Sequence, residues 1–117
     1  MKKFTTLFVY LLFFSCTKEV LVDVPPQLEI IVVDLDGNTI SDALVKLYFN
    51  EKDWNFDENA VIEKRTGDSG SILFEDLKEQ VYFIYAEKES KNNRHGVATF
   101  DQALQVNKLL KLNIEIK

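Results

Sequence analysis

The feature that most constrains the fold of this chain is the alternation of apolar and polar residues over its last eight positions. Every second position is apolar, at Leu110, Leu112, Ile114 and Ile116. The positions between them are polar, at Lys111, Asn113, Glu115 and Lys117. This period of two is typical of a β-strand with one buried face. From Gln27 onward no stretch carries an apolar stripe at helical period for more than two turns, so we predict an all-β fold.

Six more short apolar or alternating runs precede this strand, at residues 28–33, 43–49, 61–66, 71–74, 81–87 and 97–100. In the second run the predicted inward set is Ala43, Val45, Leu47 and Phe49. The third run is charged, as edge strands often are. Seven strands within residues 27–117 predict a two-sheet β-sandwich, similar in strand number to immunoglobulin-like domains.

Turn residues separate these strands. Asp36-Gly37 marks a turn after the first strand, and Asp68-Ser69-Gly70 predicts a hairpin between the third strand and the fourth. We predict a long polar loop at residues 50–59 and a solvated loop at residues 91–95. Residues 102–108 are a candidate for one turn of helix.

The N-terminus has the three-part plan of a secretory signal. Two lysines follow the first methionine, residues 4–14 are almost wholly apolar, and Ser15 is a small residue at the end. A helix over that apolar run would rise only about 16 Å, whereas bilayer hydrocarbon is roughly 30 Å thick, which disfavours a transmembrane anchor. The polar residues and Pro25-Pro26 that follow disfavour a core segment. We predict a signal peptide at residues 1–15.

Cys16 is the only cysteine of the chain and stands directly after this segment. With a cysteine at that position, the leader resembles that of a bacterial lipoprotein. In such proteins the cysteine thiol is lipidated, and the cysteine becomes the mature N-terminus. Phe13 departs from the Leu that is usual three positions before such a cysteine. Cleavage elsewhere would leave Cys16 as an odd thiol in an oxidising compartment. We therefore expect lipidation of Cys16 and location at the outer membrane, facing either the periplasm or the surface.

Charge and length limit the remaining possibilities. Without the leader, 12 basic residues face 19 acidic ones, which gives a formal charge of −7. Such a surface repels phosphate backbones and anionic headgroups, so we expect no nucleic acid partner and membrane attachment through acyl chains. Residues 16–26 are predicted to be a polar, proline-containing tether. Residues 27–117 are predicted to form one domain with its own core and no disulfide.

Five segments carry a family resemblance, namely residues 28–34, 36–38, 43–48, 66–74 and 82–87. In their order and spacing they resemble carboxypeptidase regulatory-like domains, which are small transthyretin-like, or prealbumin-like, sandwiches. Thr39 and Asp42 depart from the Pro and Gly that are common at those positions. A variant of this domain with Asp53-Trp54 after the second strand and Lys91-Asn92-Asn93 late in the chain is similar to that of lipoproteins from Bacteroidetes-type bacteria. The resemblance implies a transthyretin-like sandwich in an exported protein, and it brings no catalytic residues.

Metal binding is the first candidate chemistry. Asp34, Asp36 and Asn38 alternate as possible oxygen ligands. In a calcium loop that began at Asp34, however, the sixth position would be Thr39 and the twelfth Val45, where Gly and Glu are required. We interpret this segment as a polar turn in which Gly37 supplies an unusual φ. A loosely held cation is an alternative at the acidic cluster Asp53, Asp57 and Glu58.

Catalytic chemistry finds little support. His95 is the only histidine, and no spacing of serine residues suggests a nucleophile beside it. An intramolecular isopeptide bond would need Lys46 and Asn113 buried beside an acid, but both fall on the outward sets of their strands. We predict a non-catalytic protein with no cofactor and no metal site.

Aromatic residues give the main alternative function. Tyr48, Trp54 and Phe56 are candidate ligand-binding residues, because flat rings suit stacking against sugars. The competing interpretation is that Trp54 folds back to cap the open edge of the sandwich core. We predict a binding or structural accessory module whose contact surface is formed by residues 50–59 and 90–95, because loops at the end of a sandwich carry function. The ligand would be a protein or, in the carbohydrate-binding alternative, a glycan.

Overall fold

The computed structural model describes residues 22–117. The predicted signal peptide, Cys16 and the tether as far as Leu21 lie outside the described residues. Within residues 22–117 the structure has seven strands and one helix: β1 (Gln27–Val33), β2 (Leu44–Tyr48), α1 (Glu51–Phe56), β3 (Ile62–Arg65), β4 (Ser71–Phe74), β5 (Phe83–Lys88), β6 (Lys91–Asn92) and β7 (Leu109–Glu115). No helix in this part of the chain is both long and apolar enough to span a bilayer.

The strands form two sheets that pack as a sandwich. The first sheet has the strand order β4-β1-β7, and the second sheet has the order β3-β2-β5-β6. In the first sheet β1 pairs in parallel with β7, from Gln27 opposite Leu109 to Val33 opposite Glu115. In the second sheet β2 lies between β3 and β5, antiparallel to both. The predicted all-β, seven-stranded sandwich is confirmed.

Alternating side chains from both sheets fill the space between them. The fully buried members are Leu28, Ile30, Val32, Ala43, Val45, Leu47, Phe74, Ile84, Ala86 and Ile116. Each large aliphatic side chain removed from water in this way contributes about 2 kcal/mol. The inward face predicted for the last strand is confirmed, because Ile114 and Ile116 belong to this core and Leu110 and Leu112 pack against it. β3 lies at a sheet edge, as its charges predicted.

The inward set predicted for the second strand is wrong at its end. Phe49 is 41% exposed, whereas Tyr48, on the opposite face, is fully buried. The reason is that β2 ends at Tyr48 and the chain turns into α1, which covers the outer face of the second sheet. The predicted loop at residues 50–59 therefore contains a helix.

The predicted hairpin between the third and fourth strands is also wrong. Gly70 N–H donates to the Gly67 carbonyl at 2.9 Å, so the local turn exists. However, β3 pairs with β2 in the second sheet, and β4 pairs with β1 in the first. The turn therefore carries the chain from one sheet to the other. The hairpin prediction was wrong because the residues of a turn fix only its local shape and do not decide which strands pair. Val32 N–H donates to the Gly70 carbonyl at 2.9 Å and ties the turn to β1.

Three further expectations differ in detail. The solvated loop at residues 91–95 begins with the short strand β6 and contains the buried Asn93. The strand expected at residues 97–100 is reduced to a single bridge between Ala98 and Ile84. Residues 102–108 form turns without a helix and place Leu104 in the core.

Gly70 is expected to be the least replaceable glycine. Its φ is +81°, and an added Cβ would lie 2.5 Å from Thr39 Cβ and 2.9 Å from Ile40 N. Gly37 has φ +85° with nothing within 4 Å of an added Cβ, and Gly96 has an open environment without a positive φ. Denaturant unfolding should therefore show a loss of more than about 2 kcal/mol for Gly70→Ala, about 1 kcal/mol for Gly37→Ala, and under about 0.5 kcal/mol for Gly96→Ala. Equal losses for the first two variants would contradict the close packing at Gly70.

Candidate functional site

The helix α1 is held in place by caps at both ends. Asn50, in an extended conformation, accepts a hydrogen bond from Asp53 N–H at 2.8 Å through its side-chain oxygen. Its side-chain amide also donates to the Asp53 carboxylate at 3.2 Å, so the two side chains satisfy each other. Asp57 ends the helix in the left-handed conformation, with φ 52° and ψ 50°. The acids Glu51 and Asp53 stand in the first turn, where the helix dipole favours negative charge.

A second apolar cluster lies beneath α1, on the outer face of the second sheet. Tyr48 of β2, Trp54 of α1 and Tyr85 of β5 are all buried there, with Phe83 packed against them. The indole N–H of Trp54 donates to the carbonyl of Ile84 at 2.7 Å. Trp54 is 3% exposed. This cluster is separate from the core between the sheets, so β2 and β5 carry apolar cover on both faces.

Arg94 joins the two segments that were predicted to form the contact surface. Its Cζ lies 4.8 Å from the centroid of the Trp54 ring and 4.0 Å from that of Tyr85. Its guanidinium also donates a hydrogen bond to the Trp54 carbonyl. A cation over two aromatic faces is attracted by both, and more strongly when it is partly desolvated. The structure therefore brings residues 50–59 and 90–95 together on one face.

Asn93 fixes the backbone that presents Arg94. Asn93 is 2% exposed, and its side-chain oxygen accepts from Ala86 N–H at 2.9 Å. Its side-chain amide donates to the Ile84 carbonyl at 2.9 Å, which is the same carbonyl that receives the Trp54 indole. Asn92 accepts from Arg94 N–H at 2.8 Å. These bonds anchor the segment to β5, so it is not the freely solvated loop that its composition predicted.

Asp57 is the charged centre of this face. Its carboxylate accepts hydrogen bonds from the Tyr48 hydroxyl and from Lys46 Nζ, the latter at 3.1 Å. The hydrogen bond from Tyr48 lowers the pKa of Asp57, and Lys46 adds to that effect. Burial, followed by the bond to Asp57, raises the pKa of Tyr48. Burial and a hydrogen bond to Glu87 raise the pKa of Tyr85 to about 12.

These shifts keep each group in its ordinary charge state near neutral pH. Asp57 stays ionised, and Tyr48 and Tyr85 stay protonated, so none of the three is poised to exchange a proton near pH 7. Over residues 22–117 no three His, Cys, Asp or Glu side chains lie close enough together to hold a metal ion. The arrangement is chemically suited to fixing two surface segments rigidly to the sheet.

The three predicted ligand-binding rings are separated by this packing. Trp54 and Tyr48 are buried, and Arg94 covers the Trp54 ring, so neither ring offers a free face to a sugar. Phe56 is 65% exposed. The predicted stacking platform is therefore reduced to Phe56. The competing interpretation of Trp54 also needs correction, because the ring covers the outer face of the second sheet and does not cap the open edge of the core.

The other candidate residues occupy ordinary structural positions. Asp34 accepts from the backbone N–H groups of Asp36 at 2.9 Å and Asn38 at 3.0 Å, and the bond from Asn38 lowers its pKa. That carboxylate closes a polar turn, as the sequence predicted. Asp53 accepts from Asn50 and Asn59, so the acidic cluster proposed for a cation already has protein donors. His95 is exposed.

Lys46 and Asn113, considered for an isopeptide bond, lie on strands of different sheets. Lys46 is occupied by Asp57, and Asn113 is exposed on the outer side of β7. The geometry required for that bond is therefore not present.

Replacing Asp57 with Asn should change the pH dependence of stability. Because the folded pKa of Asp57 is lowered, its carboxylate stabilises the fold above the unfolded value of about 3.9 and stops doing so as the pH falls. We expect Asp57→Asn to cost about 1 kcal/mol at pH 7, with the difference from wild type shrinking toward pH 3. Denaturant unfolding at both pH values measures this, with Asp68→Asn, in an exposed turn, as the control. A deficit that is the same at both pH values would contradict the assignment.

Comparisons with known proteins support the fold and nothing finer. No protein-family model matches the chain, and no curated protein matches it. Among solved structures, the Bacillus anthracis TIE protein matches with a TM-score of 0.52 and 15% identity, over 79% of this chain and 16% of that one. BcpA, the major pilin subunit of Bacillus cereus, matches with a TM-score of 0.51 and 14% identity, over 80% of this chain and 30% of that one.

This chain therefore spans less than a third of either of those proteins. At such low identities the likeness concerns the β-sandwich alone. The chain shares a two-sheet sandwich architecture with a domain-sized part of each of these bacterial proteins.

Proposed function

We propose that this chain is a lipid-anchored envelope protein whose β-sandwich is a non-catalytic binding or structural accessory module. The apolar leader that ends at Ser15, directly before the single Cys16, supports the anchor. The segments that resemble carboxypeptidase regulatory-like domains of Bacteroidetes-type lipoproteins support an exported accessory role. The formal charge of −7 without the leader favours attachment through acyl chains over attachment through basic side chains.

The start of the described chain supports a short connection to the membrane. Val24 N–H donates to the Asn107 side chain at 2.7 Å, and Asn107 N–H donates back to the Val24 carbonyl at 2.8 Å. The tether is thus bound to the domain from Val24 onward. The seven residues between Cys16 and Val24 span at most about 25 Å when extended. A domain anchored at Cys16 would remain near the bilayer, where its partners are other envelope components.

The observation that carries the binding proposal is the face formed by α1 and the segment after β6. We call residues 51–57 together with residues 92–95 the α1 face. Asn93, Arg94 and Trp54 fix its backbone to β5, so a partner would meet a surface that is already ordered. A preordered surface loses less conformational entropy on binding. The exposed Phe56 gives this face a large apolar side chain of the kind that anchors protein partners.

The anchor is tested by the mass of the native product. We expect the protein extracted from its own membranes to begin at Cys16 and to carry acyl chains. We also expect Cys16→Ser to move it from the membrane fraction to the soluble fraction, because two or more acyl chains supply the stable attachment. A mature N-terminus elsewhere, or a mass without acyl chains, would contradict the proposal.

The α1 face is tested by placing a photoreactive side chain at Phe56 in cells. Leu35 is a matched control, because the two residues are 65% and 64% exposed and lie on different parts of the surface. We expect cross-linking to a defined envelope protein from position 56 and not from position 35. Equal products from both positions would contradict a specific face. Glycan binding that Phe56→Ala abolishes would instead favour the carbohydrate-binding alternative.

A further inference from the structure

The outer edge of β7 has backbone groups that no residue from 22 to 117 pairs with as a strand. Among the strands of this part of the chain, β7 lies at the end of the first sheet and pairs with β1 alone. Gln27 N–H donates to the Lys108 carbonyl, and Ile116 N–H donates to the Val33 carbonyl. In a parallel ladder alternate residues of a strand point their N–H and C=O groups to the same neighbour. The even-numbered residues therefore face β1, and the odd-numbered residues face away.

Most of these outward groups are free within residues 22–117. Lys117 is the exception, because its N–H donates to the Asn92 carbonyl at 3.0 Å and its carbonyl accepts from Asn92 N–H at 3.2 Å. No other backbone bond in this part of the chain uses the remaining four residues, Leu109, Lys111, Asn113 and Glu115. We call these four residues the free edge. At seven residues β7 is the longest edge strand of either sheet, and such an edge is a template for a further strand.

Partly exposed apolar side chains accompany the free edge. Leu110 and Leu112 point inward but are only half-buried, unlike Ile114 and Ile116. A cleft of about 240 Å³ lies between residues 102–105 and the start of β7. An additional strand along β7 would cover these leucines and satisfy the free backbone groups together.

We propose that β7 pairs antiparallel with β7 of a second copy, about a twofold axis at Asn113. In that arrangement Lys111, Asn113 and Glu115 of the two copies form the hydrogen-bonded pairs, because Lys117, which would face Leu109, is already bonded to Asn92. Lys111 then stands opposite Glu115 of the second copy, and this pair occurs twice by symmetry. Opposite charges directly across an antiparallel ladder stabilise it, and like charges destabilise it.

The charges select this register over its neighbours. Centred on Leu112, Lys111 would face Asn113 and form no ion pair. Centred on Ile114, Lys111 would face Lys117, which is unfavourable. Lys111 is free to change partner, because its side chain is 65% exposed and its contact with Glu29 is long, at 3.8 Å. A twofold contact is self-complementary, so a single sequence supplies both halves.

The contact is small and belongs to the transient class of interfaces. Confinement of two copies to one membrane would raise their effective concentration and favour pairing. The pairing itself uses only residues of β7. The pairing proposal is therefore independent of the proposals for the lipid anchor and for the α1 face.

A symmetric cysteine tests the register. A hydrogen-bonded antiparallel pair has its Cα atoms about 5.5 Å apart, within the range that a disulfide bridges. In the full chain in its own membranes, Asn113→Cys should give at least about fivefold more disulfide-linked dimer than wild type. Wild type controls for linkage through Cys16. Glu115→Cys is the matched control on the same edge, because the two introduced thiols would be about 13 Å apart along the strands.

A charge exchange tests the ion pairs. In the Asn113→Cys background, Glu115→Lys should lower the dimer yield at least about threefold, because it places two lysines opposite each other. Adding Lys111→Glu should restore the yield to within about twofold, because it re-creates opposite charges. Circular dichroism and thermal unfolding confirm that each variant folds. The proposal is overturned by a dimer yield at the wild-type level, by equal linkage from Glu115→Cys, by linkage to a different polypeptide, or by failure of the exchange to restore pairing.

Discussion

The parallel pairing of β1 with β7 is the contact on which the rest of this fold depends. Gln27 pairs with Leu109, 82 positions later, so one ladder joins the two ends of the domain. β1 becomes the central strand of the first sheet only because β7 closes one side of it and β4 the other. Its inward residues are completely buried as a result. The chain has a single cysteine and so cannot form a disulfide within itself. This ladder and the core beneath it therefore supply the stability that disulfides give many small domains. Contacts of such long sequence separation form late and slow folding.

The second sheet differs from the first because both of its faces are covered. Its inner face contributes to the core between the sheets, and its outer face packs under α1. The Ile84 carbonyl accepts hydrogen bonds from both Trp54 and Asn93, and this one acceptor thereby connects the helix and the segment after β6 to the same point of β5. The surface that we propose for binding is consequently built on β5, one of the two central strands of the sheet. Such placement makes the surface rigid and couples its shape to the stability of the domain.

The sequence was sufficient where local pattern and burial agree. The period-two alternation of β2 and β7 and the short apolar run of β1 located those strands, and the charges of residues 61–66 marked an edge. It was insufficient where a residue's partner is distant. Tyr48 stands at a position that alternation assigns to solvent, and Tyr85 belongs to a continuous apolar run that assigns it to neither face. The return of Trp54 onto the sheet covers both. The helix carrying Trp54 is too short for a hydrophobic stripe, although Asn50 and Asp53 form a recognisable cap.

The site shows the same division. Residues 50–59 and 90–95 are predicted to form a contact surface because loops at the end of a sandwich carry function, and the structure brings the two segments together. Arg94, which joins the two segments, could not be identified from the sequence. Its position over the rings of Trp54 and Tyr85 depends on how distant parts of the chain pack together. Tyr48, Trp54 and Phe56 are candidate ligand-binding residues from the sequence because flat rings suit sugars, with a cap on the core as the competing interpretation of Trp54. The burial of Tyr48 and Trp54 follows from the caps and from the Trp54 hydrogen bond, neither of which composition reveals.

The direction of the terminal strands has a mechanical consequence. β1 and β7 are parallel neighbours, so the tether enters at one pole of the domain and the end of β7 lies at the other. A force applied between those two points would pull the strands past each other along their length. All hydrogen bonds of the ladder would then be loaded together in shear. In a hairpin that is pulled open from one end, by contrast, the bonds break one after another. The domain is therefore stiff along the line that joins its tether to the far end of its last strand.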